Sequence, residues 1–157
     1  MNCKEVSDAL NSIAGWKVVT EFSVGGFEWL AFSKRNPGKM LVISSQKITL
    51  VDCNTGVIEV CDADYDEEER IAYCDKLPDE ELALVGQYGG KLPSDSGQNE
   101  KIRIETSSEY ITKATFVTEK ERTLFYDNYG FYACGFSCDG NYFVLADDGG
   151  ISIMKRQ

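Results

Sequence analysis

The feature that most constrains this chain is an internal repeat. Gly26-Phe27-Glu-Trp-Leu-Ala-Phe32-Ser33 recurs as Gly130-Phe131-Tyr-Ala-Cys-Gly-Phe136-Ser137. After a turn two residues longer in the first copy, Gly38-Lys-Met-Leu-Val42-Ile43 matches Gly140-Asn-Tyr-Phe-Val144-Leu145, and Ile48-Thr-Leu50 matches Ile151-Ser-Ile153. Turn residues bound each apolar run: Asn36-Pro37-Gly38 in one copy, Asp139-Gly140-Asn141 and Asp147-Asp148-Gly149-Gly150 in the other. Glycine supplies the positive φ that tight hairpins need, so each copy reads as a three-strand meander. Strand periodicity explains the alternation but not the shared Gly-Phe, Phe-Ser and Gly positions, which mark a duplication. Two such meanders, 26–53 and 130–156, must each bury a face. The expected fold is a single mainly β domain, an antiparallel β-sandwich or partly open barrel.

Elsewhere the chain adds one helix and more strands. Val6, Leu10 and Ile13 lie on one stripe of a helix over residues 2–14, with Gly15 as its stop. Trp16–Val24 is β-branched and aromatic, and strands are also expected at 57–61, 82–85, 101–106, 109–118 and 122–127. Residues 86–97, rich in Gly, Pro and Ser, read as loop. A length of 157 residues with 43% apolar side chains suits one globular unit.

Charge narrows the function. The formal net charge is −10 and there is no histidine. Nucleic acid and anionic membranes need clustered Lys and Arg, so neither is an expected partner; a basic protein or a small molecule is. Lack of histidine removes the commonest general base and transition-metal ligand. Met1-Asn-Cys-Lys-Glu-Val-Ser-Asp has no long apolar core of a leader, so a cytoplasmic, reducing location is expected, with the six cysteines as thiols.

The acidity is concentrated. Residues 62–81 hold five Asp and five Glu against Arg70 and Lys76, a net of −8. Asp62, Asp64 and Asp66 have the first three ligand spacings of a calcium loop, but Glu67 stands where that loop needs glycine and Tyr73 where it needs a bidentate Glu. Two readings remain. One is a solvated loop or the first turn of a helix, where acids are favoured. The other is a face that steers and holds a basic partner, with tyrosines as anchors. Its candidate contacts are Asp62, Asp64, Tyr65, Asp66, Glu67, Glu68, Glu69, Tyr73, Asp79, Glu80 and Glu81.

No catalytic or cofactor motif appears. There is no Cys-x-x-Cys pair, so the cysteines read as small buried hydrophobes and no metal or cofactor is expected. Gly89-Gly90 lacks the spacing and the Lys-Ser/Thr ending of a phosphate loop and reads as a tight turn. With 26 acids a carboxylate pair for hydrolysis is conceivable, but no pair stands out, and the expectation is a protein without catalysis.

Two likenesses accompany these residues. Phe136-Ser-Cys-Asp-Gly140 resembles the Phe-Ser-x-Asp-Gly turn of β-propeller blades, and implies as an alternative a propeller-derived scaffold or adaptor module. The chain as a whole, through Gln87-Tyr-Gly-Gly-Lys-Leu-Pro93 and Gly135-Phe-Ser-Cys-Asp-Gly140, resembles the small acidic immunity proteins of bacterial contact-dependent and polymorphic toxin systems. That resemblance implies a non-catalytic role: binding a cationic toxin domain, often a nuclease, and covering its substrate site with acidic side chains.

Overall fold

The structure is a computed structural model describing residues 1–157. In chain order it consists of α1 (Cys3–Asn11), β1 (Trp16–Phe22), β2 (Phe27–Phe32), β3 (Lys39–Ser44), β4 (Ile48–Asp52), β5 (Ile58–Val60), β6 (Ala63–Asp66), β7 (Ile71–Cys74), β8 (Leu77–Ala83), β9 (Val85–Gly86), β10 (Lys101–Thr106), β11 (Thr112–Val117), β12 (Arg122–Asn128), β13 (Phe131–Phe136), β14 (Tyr142–Asp147) and β15 (Gly150–Arg156). The fold is mainly β with one short N-terminal helix, as expected. Asn2 caps α1, its side chain accepting from Glu5 N–H while Glu5 accepts from Asn2 N–H. No helix is long and apolar enough to cross a membrane.

The strands form four antiparallel sheets: β10-β11-β12 (sheet I), β1-β15-β14-β13 (sheet II), β5-β4-β3-β2-β9 (sheet III) and β6-β7-β8 (sheet IV). Three apolar clusters stack them in that order. Phe116, Phe125 and Tyr126 of sheet I meet Trp16, Phe136 and Phe143 of sheet II. The other face of sheet II, with Val144 and Ile153, meets Leu30, Phe32 and Met40 of sheet III. The far face of sheet III, with Trp29, Leu41 and Ile43, meets Ala72, Leu77 and Leu82 of sheet IV. No apolar cluster joins I to IV, so the four sheets pack in succession without closing into a barrel, as a sandwich or open barrel does.

The two meanders lie in different sheets, β2-β3-β4 in III and β13-β14-β15 in II, packed face to face. Their register is alike down to a bulge at the same place, between Phe27 and Trp29 in one and Phe131 and Ala133 in the other. The middle strand needs a correction. Met40 opposes Phe32 as Phe143 opposes Phe136, so Val42 corresponds to Leu145 and not to Val144. Side chains alternate faces along a strand, so a slip of one residue reverses every side chain. Burial agrees: Met40 and Val42 face sheet II as Phe143 and Leu145 face sheet I. The turn in the first copy is therefore longer by one residue.

Residues 85–96 run along the free edges of three sheets. Gly86 pairs with Trp29 of β2, Phe136 N–H of β13 donates to Pro93 O (2.8 Å), and Ile102 N–H of β10 donates to Ser94 O (2.8 Å). This strap is the loop expected from its Gly and Pro content, and Gly86 and Gly89 exchange hydrogen bonds across the tight turn expected there. At its end Glu100 gathers three partners: Arg156 (2.8 Å), Trp16 Nε1–H (2.9 Å) and Ser96 hydroxyl (2.8 Å). The Arg156 guanidinium lies 4.6 Å over the Trp16 ring, which ties the first strand, the last strand and the strap together.

Candidate functional site

The acidic segment is neither a loop nor a helix start; it is the outermost sheet. Ala72, Cys74, Leu77 and Leu82 are buried against sheet III, and the residues between them, Glu80 excepted, are exposed to solvent. The expectation failed because the buried side chains of β7 are only Ala and Cys, too small and too few to register as an apolar alternation beside ten acids. Within sheet IV, Asp64 pairs with Tyr73 and Asp66 with Ile71 across β6 and β7. The β6–β7 turn is Glu67-Glu68-Glu69-Arg70, held by Asp66 Oδ1 accepting from Glu68 and Glu69 N–H (2.9 and 3.1 Å). An Asx turn of this kind replaces the backbone pairing a hairpin tip lacks. Arg70 closes it at φ 53°.

Asp62, Asp64, Asp66, Glu67, Glu68, Glu69, Asp79 and Glu81 are all exposed, as are Tyr65 (40%) and Tyr73 (50%). None of these eight acids takes part in an ion pair; the one ion pair that touches the segment joins Lys76 to Glu59. Glu67 turns back to accept from the Trp29 indole N–H (3.3 Å), and Tyr88 lies beside that indole with ring centroids 6.0 Å apart. Burial, and the charges of Glu28 and Glu67, raise the Tyr65 phenol above its ordinary range, so its OH stays protonated.

Glu80 does not belong to this surface. It is 5% exposed and accepts from Ser33 hydroxyl (2.6 Å), Lys34 N–H (2.7 Å) and Arg35 N–H (3.4 Å). In the second meander the equivalent Ser137 hydroxyl donates to Asp139 (2.7 Å), three residues before the strand resumes. Glu80 thus supplies from sheet IV the carboxylate that the Asn36-Pro37-Gly38 turn lacks. The acid is a structural clasp, and a sequence alone gave no sign of its partner in space.

Four cysteines (Cys53, Cys61, Cys74, Cys134) are buried as expected; Cys3 and Cys138 are exposed. Burial alone pushes up the Cys134 thiol, and burial with the Asp52 charge pushes Cys53 up to about 12. Neither is poised as a nucleophile. Cys61 and Cys74 are different, because they lie together with Asp75, the three ligand atoms all within 4.8 Å of one another. Sequence spacing did not reveal this group; the β6–β7 pairing brings it together, with Ala63 opposite Cys74. No family model matches the chain, and no curated protein matches it.

Proposed function

We propose that this chain is a non-catalytic binding protein that docks a basic protein partner on the outward face of sheet IV, acting in the cytoplasm as the immunity partner of a cationic toxin domain. The observation that carries the reading is the set of eight exposed acids with no ion-pair partner within the molecule, spread over one end sheet and its hairpin tip. Like charges held this close repel one another, and a cationic surface relieves that repulsion while the local field speeds its approach. Tyr73 stands among the acids beside Asp64 and offers a rigid, amphipathic contact at the centre of the patch. The sheet beneath is held by the third apolar cluster, so the charges are presented in a fixed pattern at small entropic cost.

The test is association with a basic nuclease domain as probe, and the reading requires that a toxin gene adjoin the gene for this chain. Replacing Glu67, Glu68 and Glu69 together by Gln should lower the association rate by about tenfold at low salt and flatten its dependence on ionic strength. Tyr73→Ala should act mainly on dissociation. An unchanged association rate in the triple variant refutes the placement, and binding that follows changes in the loops at the sheet rims would favour the scaffold reading.

A further inference from the structure

We infer that Cys61, Cys74 and Asp75 form a binding site for a thiophilic divalent cation of the zinc class, set into the outer end of the sheet III–sheet IV interface. Both thiols are almost fully buried, 6% and 4% exposed, side by side and not joined as a disulfide. Cys74 Sγ lies 3.8 Å from Asp75 Oδ1, and all three ligand atoms fall within 4.8 Å of one another. Zinc bonds of about 2.3 Å to sulfur and about 2.0–2.2 Å to oxygen place tetrahedral donors roughly 3.5–3.8 Å apart. The donors need close by no more than about an ångström to reach that geometry.

The surroundings are those of a built site. Cys61 is fixed by its N–H to Ile48 O of sheet III (3.1 Å), and Cys74 by the β6–β7 ladder. Asp75 Oδ1 accepts from the Asp62 N–H (3.1 Å), which holds the carboxylate beside Cys74 with further lone pairs to offer an ion. An opening of about 440 Å³, lined by Asp62, Asp64 and Tyr73 as well as Cys74 and Asp75, leads to solvent. It gives a path of entry and room for a water as fourth ligand, and its carboxylates concentrate cations at the mouth. Two sulfur donors select against Mg2+ and Ca2+, which prefer oxygen. On binding, each thiol releases its proton to solvent and the ion's two charges replace them, so the group keeps the charge of the Asp75 carboxylate alone. The bound ion would pin the base of the acidic hairpin to sheet III.

The experiment is titration of Co2+ into the reduced, chelator-stripped full chain, read by thiolate-to-cobalt charge-transfer absorption. The expected result is one equivalent bound at micromolar Co2+, displaced by Zn2+, with a higher Tm in Zn2+ than in chelator. The Cys61→Ser/Cys74→Ser variant should lose the band, while Cys3→Ser and Cys138→Ser keep it. Asp75→Asn, at an exposed position and with both thiols intact, should weaken binding on the order of tenfold and so decides the matter if the double variant does not fold. No band at micromolar Co2+, or a band that survives loss of both thiols, or affinity unchanged in Asp75→Asn, overturns the site. None of these measurements involves a partner protein, so their outcome is independent of the docking proposal.

Discussion

At the scale of single residues, two carboxylates of one short segment do different work although their sequence context is the same. Glu80 is buried and accepts three hydrogen bonds from the 33–35 turn, whereas its neighbour Glu81 is exposed. A buried donor left without its acceptor costs the full desolvation of that group. Glu80→Ala should therefore destabilise the fold by about 2–3 kcal/mol, since Ser33 hydroxyl and Lys34 N–H both lose a charged acceptor. Glu81→Ala should change stability by less than about 0.5 kcal/mol. Urea unfolding of the two variants makes the comparison, and equal midpoints would remove Glu80 from its structural role.

At the scale of elements, the strap shows how the duplicated sheets are held in place. Gly135 is the residue of β13 where the strap passes: a Cβ there would lie 2.4 Å from Leu92 Cβ and 2.8 Å from Pro93 O. The backbone hydrogen bond from Phe136 to Pro93 holds that approach, so neither side can withdraw cheaply. Gly135→Ala should cost roughly 1–3 kcal/mol, read as a fall in Tm, and a neutral substitution would show that the strap yields. The two stretches that carry the immunity-protein resemblance, Gln87–Pro93 and Gly135–Gly140, are thus the two sides of one contact and belong to the scaffold. The meanders were legible because glycine turns and large apolar strands alternate plainly from Phe27 and again from Phe131. The pairing of Val42 was misread because aligning Gly38 with Gly140 overstates the turn by one residue, and strand parity turns that single step into the wrong face. Sheet IV was hidden for another reason: in β7 only Ala72 and Cys74 face the core, and the acids around them dominate any reading by composition. Of the candidate contacts ten lie exposed at this end of the molecule, and only Glu80 turns inward.

At the scale of the whole molecule, the stack has unlike ends. Sheet IV presents the unpaired acids, while Lys101, Arg103 and Lys113 stand exposed on sheet I. Between them three carboxylates with shifted pKa values, Glu100, Asp139 and Asp147, set the response to pH. For Glu100, burial alone would raise the pKa, but the hydrogen bonds from Arg156, Trp16 and Ser96 outweigh it and hold the group below its ordinary 4.5. Asp139 is likewise lowered: burial opposes ionisation, and Ser137 and Asn141 overcome it. A carboxylate whose folded pKa is depressed gives stability that is complete above the unfolded value and is lost as pH falls towards the folded one. Asp147 has the opposite sign, because burial and the neighbouring Asp148 raise it, so it favours the folded state at the acid end and opposes it once ionised. The wild-type Tm should accordingly hold from neutrality to about pH 5 and fall as pH drops through 4.5. Glu100→Gln should lower Tm at neutral pH and reduce the acid fall, whereas Asp147→Asn should raise Tm at neutral pH with a gain that fades on acidification. Calorimetric scans between pH 3 and 7 separate the two signs. An acid fall as steep in Glu100→Gln as in the wild type would show that the clasp of first strand, last strand and strap is not what protonation breaks.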